Sequence, residues 1–235
     1  MRCGAWNNEQ YGFILYQDAY DIYVVHCTIH GNGDAGLRNG WVAQNEVADK
    51  LRIKNNISTH NGSQDLKIEG SVTFELDYNN WYGAPYAPSH TGSHSRAVNP
   101  QYVYAATNNY HLSVGSPCID AGGPVTYTTR ASMGTNIPVA DAFYFTDGMG
   151  MTAGDIIRVG GMTAQVIEIP NGTTIVTDAS LTWNAGQGVY FDYNEGAPDL
   201  GKYETVPEAG ALGAAAVAGV WAWRRGRAWG GAEGT

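Results

Sequence analysis

The feature that most constrains this chain is a repeat. Laying CGAWNNEQYGFI (residues 3–14) over CTIHGNGDAGLR (residues 27–38) brings Cys3 onto Cys27, Asn8 onto Asn32 and Gly12 onto Gly36 at one offset of 24. Laying DIYVVHCTIHGNGDAGL (residues 21–37) over KLRIKNNISTHNGSQDL (residues 50–66) brings Ile22 onto Leu51, Val24 onto Ile53, Asn32 onto Asn61 and Leu37 onto Leu66 at an offset of 29. The longer spacing fits an insertion around residues 41–48. Each unit alternates apolar and polar residues over short stretches broken by Gly or Asn-Gly turns, with no helical spacing. So short a unit cannot bury its own apolar face, but stacked neighbours can. Parallel strands stacked about 4.8 Å apart set like residue on like. The offsets therefore predict an asparagine ladder, Asn8–Asn32–Asn61, at a turn. They also predict inward ladders Phe13–Leu37–Leu66, Ile22–Leu51 and Val24–Ile53. A small sandwich of similar hairpins would not bring Asn, Gly and apolar positions into coincidence across three units. Cys3 and Cys27 come within reach of a disulfide, but in-register strands give poor torsions, so thiols are expected.

Composition agrees with an all-β chain: 31 Gly, 15 Tyr and 7 Trp stand beside only 15% charged residues. Residues 1–204 carry 10 basic and 20 acidic side chains, a surface that repels a phosphate backbone, so no nucleic acid partner is expected. The three cysteines show neither a CxxC nor a zinc-type spacing, and no metal site is expected. No signal peptide opens the chain, and residue 1 falls within a repeat unit; the expectation is a C-terminal part of a longer protein.

IKNNISTHNG (residues 53–62) and FELDYNNWYG (residues 74–83) resemble the right-handed parallel β-helix superfamily that includes pectate-lyase-like proteins. NPQYVYAATNNYHLSVGSPCIDAG (residues 99–122) resembles the closing segment of many bacterial surface β-helix proteins, with Cys118 where Ala is usual. APDLGKYE (residues 197–204) resembles the strand that completes this closure, with Lys202 at a small-residue position. The resemblance implies an all-β, right-handed parallel β-helix over residues 1–124, with a closing strand over 196–205. Residues 125–195, with GDIIRVGGMTAQVIEI, GTTIVTDASLTW and GQGVYFDY, form four or five strands, enough for a small β-barrel; such a barrel is inserted here in some β-helix proteins. The tail over 206–235 holds VPEAGALGAAAVAGVWAWRRGR, similar to the PEP-CTERM sorting signal of Gram-negative bacteria. Its apolar run ends in three arginines, which suits membrane association better than a buried helix. Location at the cell surface or outside the cell follows.

The resemblance implies a polysaccharide or cell-surface glycan as partner, because β-helix enzymes acting on polysaccharide lay it along one parallel sheet. With Phe13, Leu37 and Leu66 inward, alternation turns Ile14, Arg38 and Lys67 outward, and with them Tyr16, Asp65 and Glu69. A lyase needs a base and a cation for the uronate carboxylate. A glycoside hydrolase needs two opposed carboxylates. Arg38, Lys67, Asp65 and Glu69 are the catalytic candidates for either, and Tyr16, Arg38 and Lys67 the substrate-binding ones; Trp41 is a further aromatic for stacking on sugar. Cross-strand ion pairs on a solvated face explain the same charges without any site. The histidines fall at turns (His26, His30, His60) or in a Ser/Gly/Thr loop (His90, His94), where no helix aligns them as ligands. No cofactor is identified. Asp141, Asp147 and Asp155 leave calcium open, although their spacing matches no calcium loop. Lyase, hydrolase with an active site partly upstream, and non-catalytic adhesin or structural surface protein all remain open.

Overall fold

The computed structural model describes residues 2–15, 21–39, 48–69 and 72–205; Tyr16, Trp41 and the tail lie outside the described residues. The described chain is all-β, with one short 3-10 turn at Ala105–Thr107.

Strands form where the alternation is cleanest. β1 (Gly4–Trp6), β2 (Phe13–Leu15) and β3 (Ile22–Val25) are followed by β4 (Thr28–His30), β5 (Leu37–Asn39) and β6 (Ala48–Lys54). Next come β7 (Ile57–Thr59), β8 (Leu66–Ile68), β9 (Val72–Asp77) and β10 (Asn80–Tyr82). Each pairs in parallel with the strand three places on, giving sheets of order β1-β4-β7-β10, β2-β5-β8 and β3-β6-β9. The registers are those the two offsets require: Phe13, Leu37 and Leu66 in one column, Ile22 on Leu51, Val24 on Ile53. Thr28 donates its N–H to the Cys3 carbonyl at 3.0 Å, which sets Cys27 in the row beside Cys3. Val24, Cys27, Ile29, Leu37, Leu51, Ile53, Leu66 and Trp81 pack as one core. No disulfide joins the cysteines, and burial pushes the Cys27 thiol up to about 11.

Two corners repeat from row to row in the left-handed backbone region. Asn7, Gly31, His60 and Gly83 occupy one (φ 56, 63, 55 and 85°), His26, Asn55 and Tyr78 the other (φ 51, 58 and 52°). Beside the first runs the expected ladder. The N–H and Nδ2 of Asn8 both donate to Asn32 Oδ1 (3.1 and 2.7 Å), and those of Asn32 to Asn61 Oδ1 (3.0 and 2.9 Å). A second ladder follows the other corner: Cys27 N–H donates to Asn56 Oδ1 (2.8 Å), and Asn56 N–H and Nδ2 donate to Asn79 Oδ1 (3.0 and 2.9 Å). These side chains satisfy buried backbone groups that the turn leaves outside the sheets.

A hairpin of β11 (Tyr102–Tyr104) and β12 (Asn109–Leu112) follows. Ile57, Leu112, Cys118, Ala121 and Leu200 form a second core. Residues 196–205 correct the expected closing strand. They return to the sheets as an irregular segment: Leu200 N–H donates to Cys118 O (3.0 Å), Gly201 N–H to Asn55 O (2.8 Å) and Lys202 N–H to Thr28 Oγ1 (2.9 Å). Gly201, at φ 84°, turns the backbone out of the extended conformation a ladder needs.

Residues 126–191 hold β13 (Thr126–Tyr127), β14 (Ser132–Pro138), β15 (Ile156–Val159), β16 (Met162–Asn171), β17 (Thr174–Trp183) and β18 (Gly188–Phe191). They make one antiparallel sheet of order β13-β18-β15-β16-β17-β14, six strands where four or five were expected. Its ends meet through a Thr128–Val139 bridge and the Ala140 N–H to Tyr127 O bond (2.9 Å), so the sheet closes on itself. Its core, with Ile137, Val139, Ile157, Val159, Ile175 and Val189, continues into Val25 of β3.

Candidate functional site

The three parallel sheets differ in what covers their outer faces. On β1-β4-β7-β10 the β11–β12 hairpin lays Tyr110 on Trp6 and His30 (ring centroids 4.9 and 5.0 Å) and Tyr102 edge-on to His30 (5.7 Å). Desolvation there lowers His30 to about 4. On β3-β6-β9 the six-stranded module covers the face. Tyr23 OH donates to Asp141, and Arg52 Nε lies 2.7 Å from Asp141 Oδ2, off the N–H axis and so an ion pair rather than a hydrogen bond. Lys54 Nζ donates to Val125 O at 2.9 Å and pairs with Glu75.

Among the described residues no other element packs over the outer face of β2-β5-β8. Alternation about Leu37 turns Arg38 out between two buried neighbours, Leu37 and Asn39. Parallel pairing then stacks Ile14, Arg38 and Lys67 in one column. Ile14 is 42% exposed, as expected for an outward position. Glu69, just past β8, gathers both cations: Arg38 Nη2 and Nε donate to its Oε2 (2.9 and 3.2 Å), and Lys67 Nζ lies 3.3 Å from Oε1. Burial works to raise Glu69, but the hydrogen bonds from Arg38 and Lys67 outweigh it and hold the carboxyl below its usual range.

Two side chains that alternation does not single out join this group. Arg38 Nη1 donates to Tyr11 OH, and the guanidinium carbon lies 5.1 Å from the Tyr11 ring centroid. Asp34 accepts from Ser63 Oγ, and that bond, with a weaker one to Tyr11, lowers its pKa. Asp34 was findable: the offsets that align Asn32 with Asn8 and Asn61 also align Asp34 with Gln10 and Ser63. Beyond β8, Gln64 bridges Tyr86 and Ile68 N–H donates to Ser89 Oγ (2.9 Å), so residues 86–89 continue the face as a fourth row. Tyr86 stands exposed at its end.

Asp65 departs from the expectation. Strand alternation puts it outward with Glu69, but it is 2% exposed and ends the first asparagine ladder, accepting from Asn61 Nδ2 at 2.7 Å. The physical reason is that Asp65 lies in the bend before β8, where strand alternation does not apply. It occupies the column of Gly12 and Gly36, against which the ladder amides pack. Burial raises its carboxyl to about 7, against the pull of the Asn61 hydrogen bonds. Arg38, Lys67 and Glu69 thus come together on one open face, Asp65 is drawn inside, and Tyr16 lies outside the described residues.

The aspartates weighed for calcium serve different neighbours. Asp141 holds Tyr23 and Arg52, Asp147 accepts from Met149 N–H (2.8 Å) and Asp155 from Thr146 N–H (2.8 Å). No known family model matches this chain, and no curated protein or solved structure is significantly similar to it.

Proposed function

We propose that residues 1–124 are the rungs and closing segment of a right-handed parallel β-helix, from the C-terminal part of a secreted or surface-anchored bacterial protein, and that the β2-β5-β8 face binds polysaccharide. One observation carries this: of the three parallel sheets, this outer face is the one left uncovered among the described residues, and it holds two cations in register. Arg38 over Lys67, flanked by the rings of Tyr11 and Tyr86, spans four rows, roughly 14 Å at strand spacing. A guanidinium beside an ammonium suits the carboxylate of a uronate, and tyrosine rings give an apolar platform with a polar rim. The same geometry favours binding over cleavage. Glu69 is taken up by ion pairs with both cations, leaving the cluster one net positive charge, and Asp65 is committed to the asparagine ladder, so neither carboxylate stands as a free base beside them.

The test is a binding titration of the whole chain with polygalacturonate, and with a neutral glucan, each with and without calcium. The uronate polymer should bind more tightly, and Arg38→Ala or Lys67→Ala should weaken it by about tenfold, the loss of one charge-assisted contact. Glu69→Gln should strengthen binding, because the cations lose their internal partner. Equal binding of both polymers, unaffected by these changes, would refute the assignment of this face. Release of unsaturated products that disappears in Lys67→Ala would make the protein a lyase instead.

A further inference from the structure

A cavity of about 470 Å³ lies in the six-stranded module, lined by Tyr144, Phe145, Met149, Met151 and Asp155 among others. That volume is in the range of small-molecule sites. Its outer wall is the loop 146–155, and the loop is well made. Asp155 N–H donates to Thr146 O (2.9 Å) while Thr146 N–H donates to Asp155 Oδ2 (2.8 Å), closing the neck. Inside it Gly148 N–H donates to Thr146 Oγ1 (3.0 Å), and Gly148 O accepts from Met151 and Thr152 (2.9 and 3.2 Å).

This ordered loop presents Met149 and Met151 at 75% and 81% exposure. Leaving two thioethers in water on a preorganised loop gains nothing for folding, whereas methionines adapt their shape to an apolar guest. At the base, Asp155 is the one carboxylate among the lining residues. Thr146 N–H occupies Oδ2, and Oδ1 has no hydrogen-bond partner among the described residues. Burial raises the Asp155 pKa, opposed by the Thr146 bond and by the fields of the N-terminal amine and Arg2. A carboxylate short of partners at the foot of an apolar wall complements a cationic head on an apolar body.

We infer that this cavity binds small hydrophobic primary amines, with the ammonium on Asp155 Oδ1 and the apolar body between Phe145 and the two methionines. The site is separate from the β2-β5-β8 face and does not depend on its role. The experiment titrates the whole chain, labelled at methionine methyls, with 2-phenylethylamine, 2-phenylethanol and 3-phenylpropionate. Met149→Leu and Met151→Leu assign the two signals. The amine should shift both signals saturably and bind about tenfold more tightly than the alcohol, the margin of one charge-assisted hydrogen bond. The carboxylate should bind least. Asp155→Asn keeps an acceptor for Thr146 N–H, and it should bring amine and alcohol to equal affinity while the melting temperature stays within a few degrees. No shift at Met149 and Met151, equal binding of all three probes, or an amine preference that survives in folded Asp155→Asn would each overturn the assignment.

Discussion

Asp65 shows how one residue's position decides its chemistry. In the three-row alignment it stands where the other rows have Gly12 and Gly36. A Cβ at Gly36 would come within 2.2 Å of Ser58 Oγ and 2.6 Å of Asn61 Nδ2, so that column belongs to the ladder. In the last row no further asparagine follows Asn61, and the Asp65 carboxylate takes its amide instead. The consequence is a pH signature. A carboxyl raised in the fold stabilises the protein fully below its ordinary pKa of 3.8, and this contribution is lost as pH rises to about 7. Wild type should therefore lose stability relative to Asp65→Asn between pH 4 and 7, on the order of 4 kcal/mol, and the difference should level off above that. Urea unfolding of both proteins at a series of pH values measures it. Glu204, also raised to about 7 by burial, is present in both and cancels. A difference independent of pH would mean that Asp65 titrates normally in the fold.

At the scale of elements, the Gly36 contacts make a sharper claim than composition could. Gly36→Ala should cost about 3 kcal/mol or more, because the clash is with ladder atoms and backbone rather than with a flexible chain end. Gly161→Ala, where an added Cβ meets nothing within 4 Å, should stay within about 0.5 kcal/mol of wild type. Guanidinium unfolding ranks the two, and equal effects would break the link between the glycine column and the ladder. The columns were legible because stacking repeats a residue type at a fixed offset, and Asn, Gly and Leu survive as markers. The second ladder was hidden for the same reason: its first two rows hold Cys3 and Cys27, so Asn56 and Asn79 had no matching partner upstream. The corners were hidden because His26, His60 and Tyr78 adopt a backbone region that sequence reasoning assigns to Gly, Asn or Asp. In the module, GDIIRVGGMTAQVIEI announced its hairpin, with Gly160 and Gly161 between β15 and β16. β14 did not: SMGTNIP lacks alternation and owes its place to pairing with β17.

For the molecule as a whole, the stacked sheets and the six-stranded module form one compact unit over Met1–Thr205. The junction explains why neither part stands as a separate body. The outer face of β3-β6-β9 carries Tyr23, Arg52, Lys54 and Glu75, charges that a free face would leave in water. The module supplies Asp141 to Tyr23 and Arg52, and Val125 O to Lys54, while Val25 enters the module's own core. Burying such charges stabilises only while each keeps its partner. Asp141→Asn keeps an acceptor for Tyr23 but removes the carboxylate beside Arg52, which keeps its ion pair with the exposed Asp21 (2.7 Å), its hydrogen bond to Lys50 O (3.2 Å) and the Tyr23 ring. The loss should be about 1–3 kcal/mol, the cost of a partly buried cation deprived of one partner. Its distribution is the informative part. If the junction couples the two regions, amide exchange should quicken by the same factor in β6 and β9 as in β15 and β16, because they open together. Hydrogen exchange on wild type and Asp141→Asn, resolved by peptide, reads this directly. Faster exchange confined to β15 and β16 would mean that the module unfolds on its own and only rests on the sheet. Faster exchange in both at the same ratio would mean that the charged face of β3-β6-β9 is interior to a single folding unit.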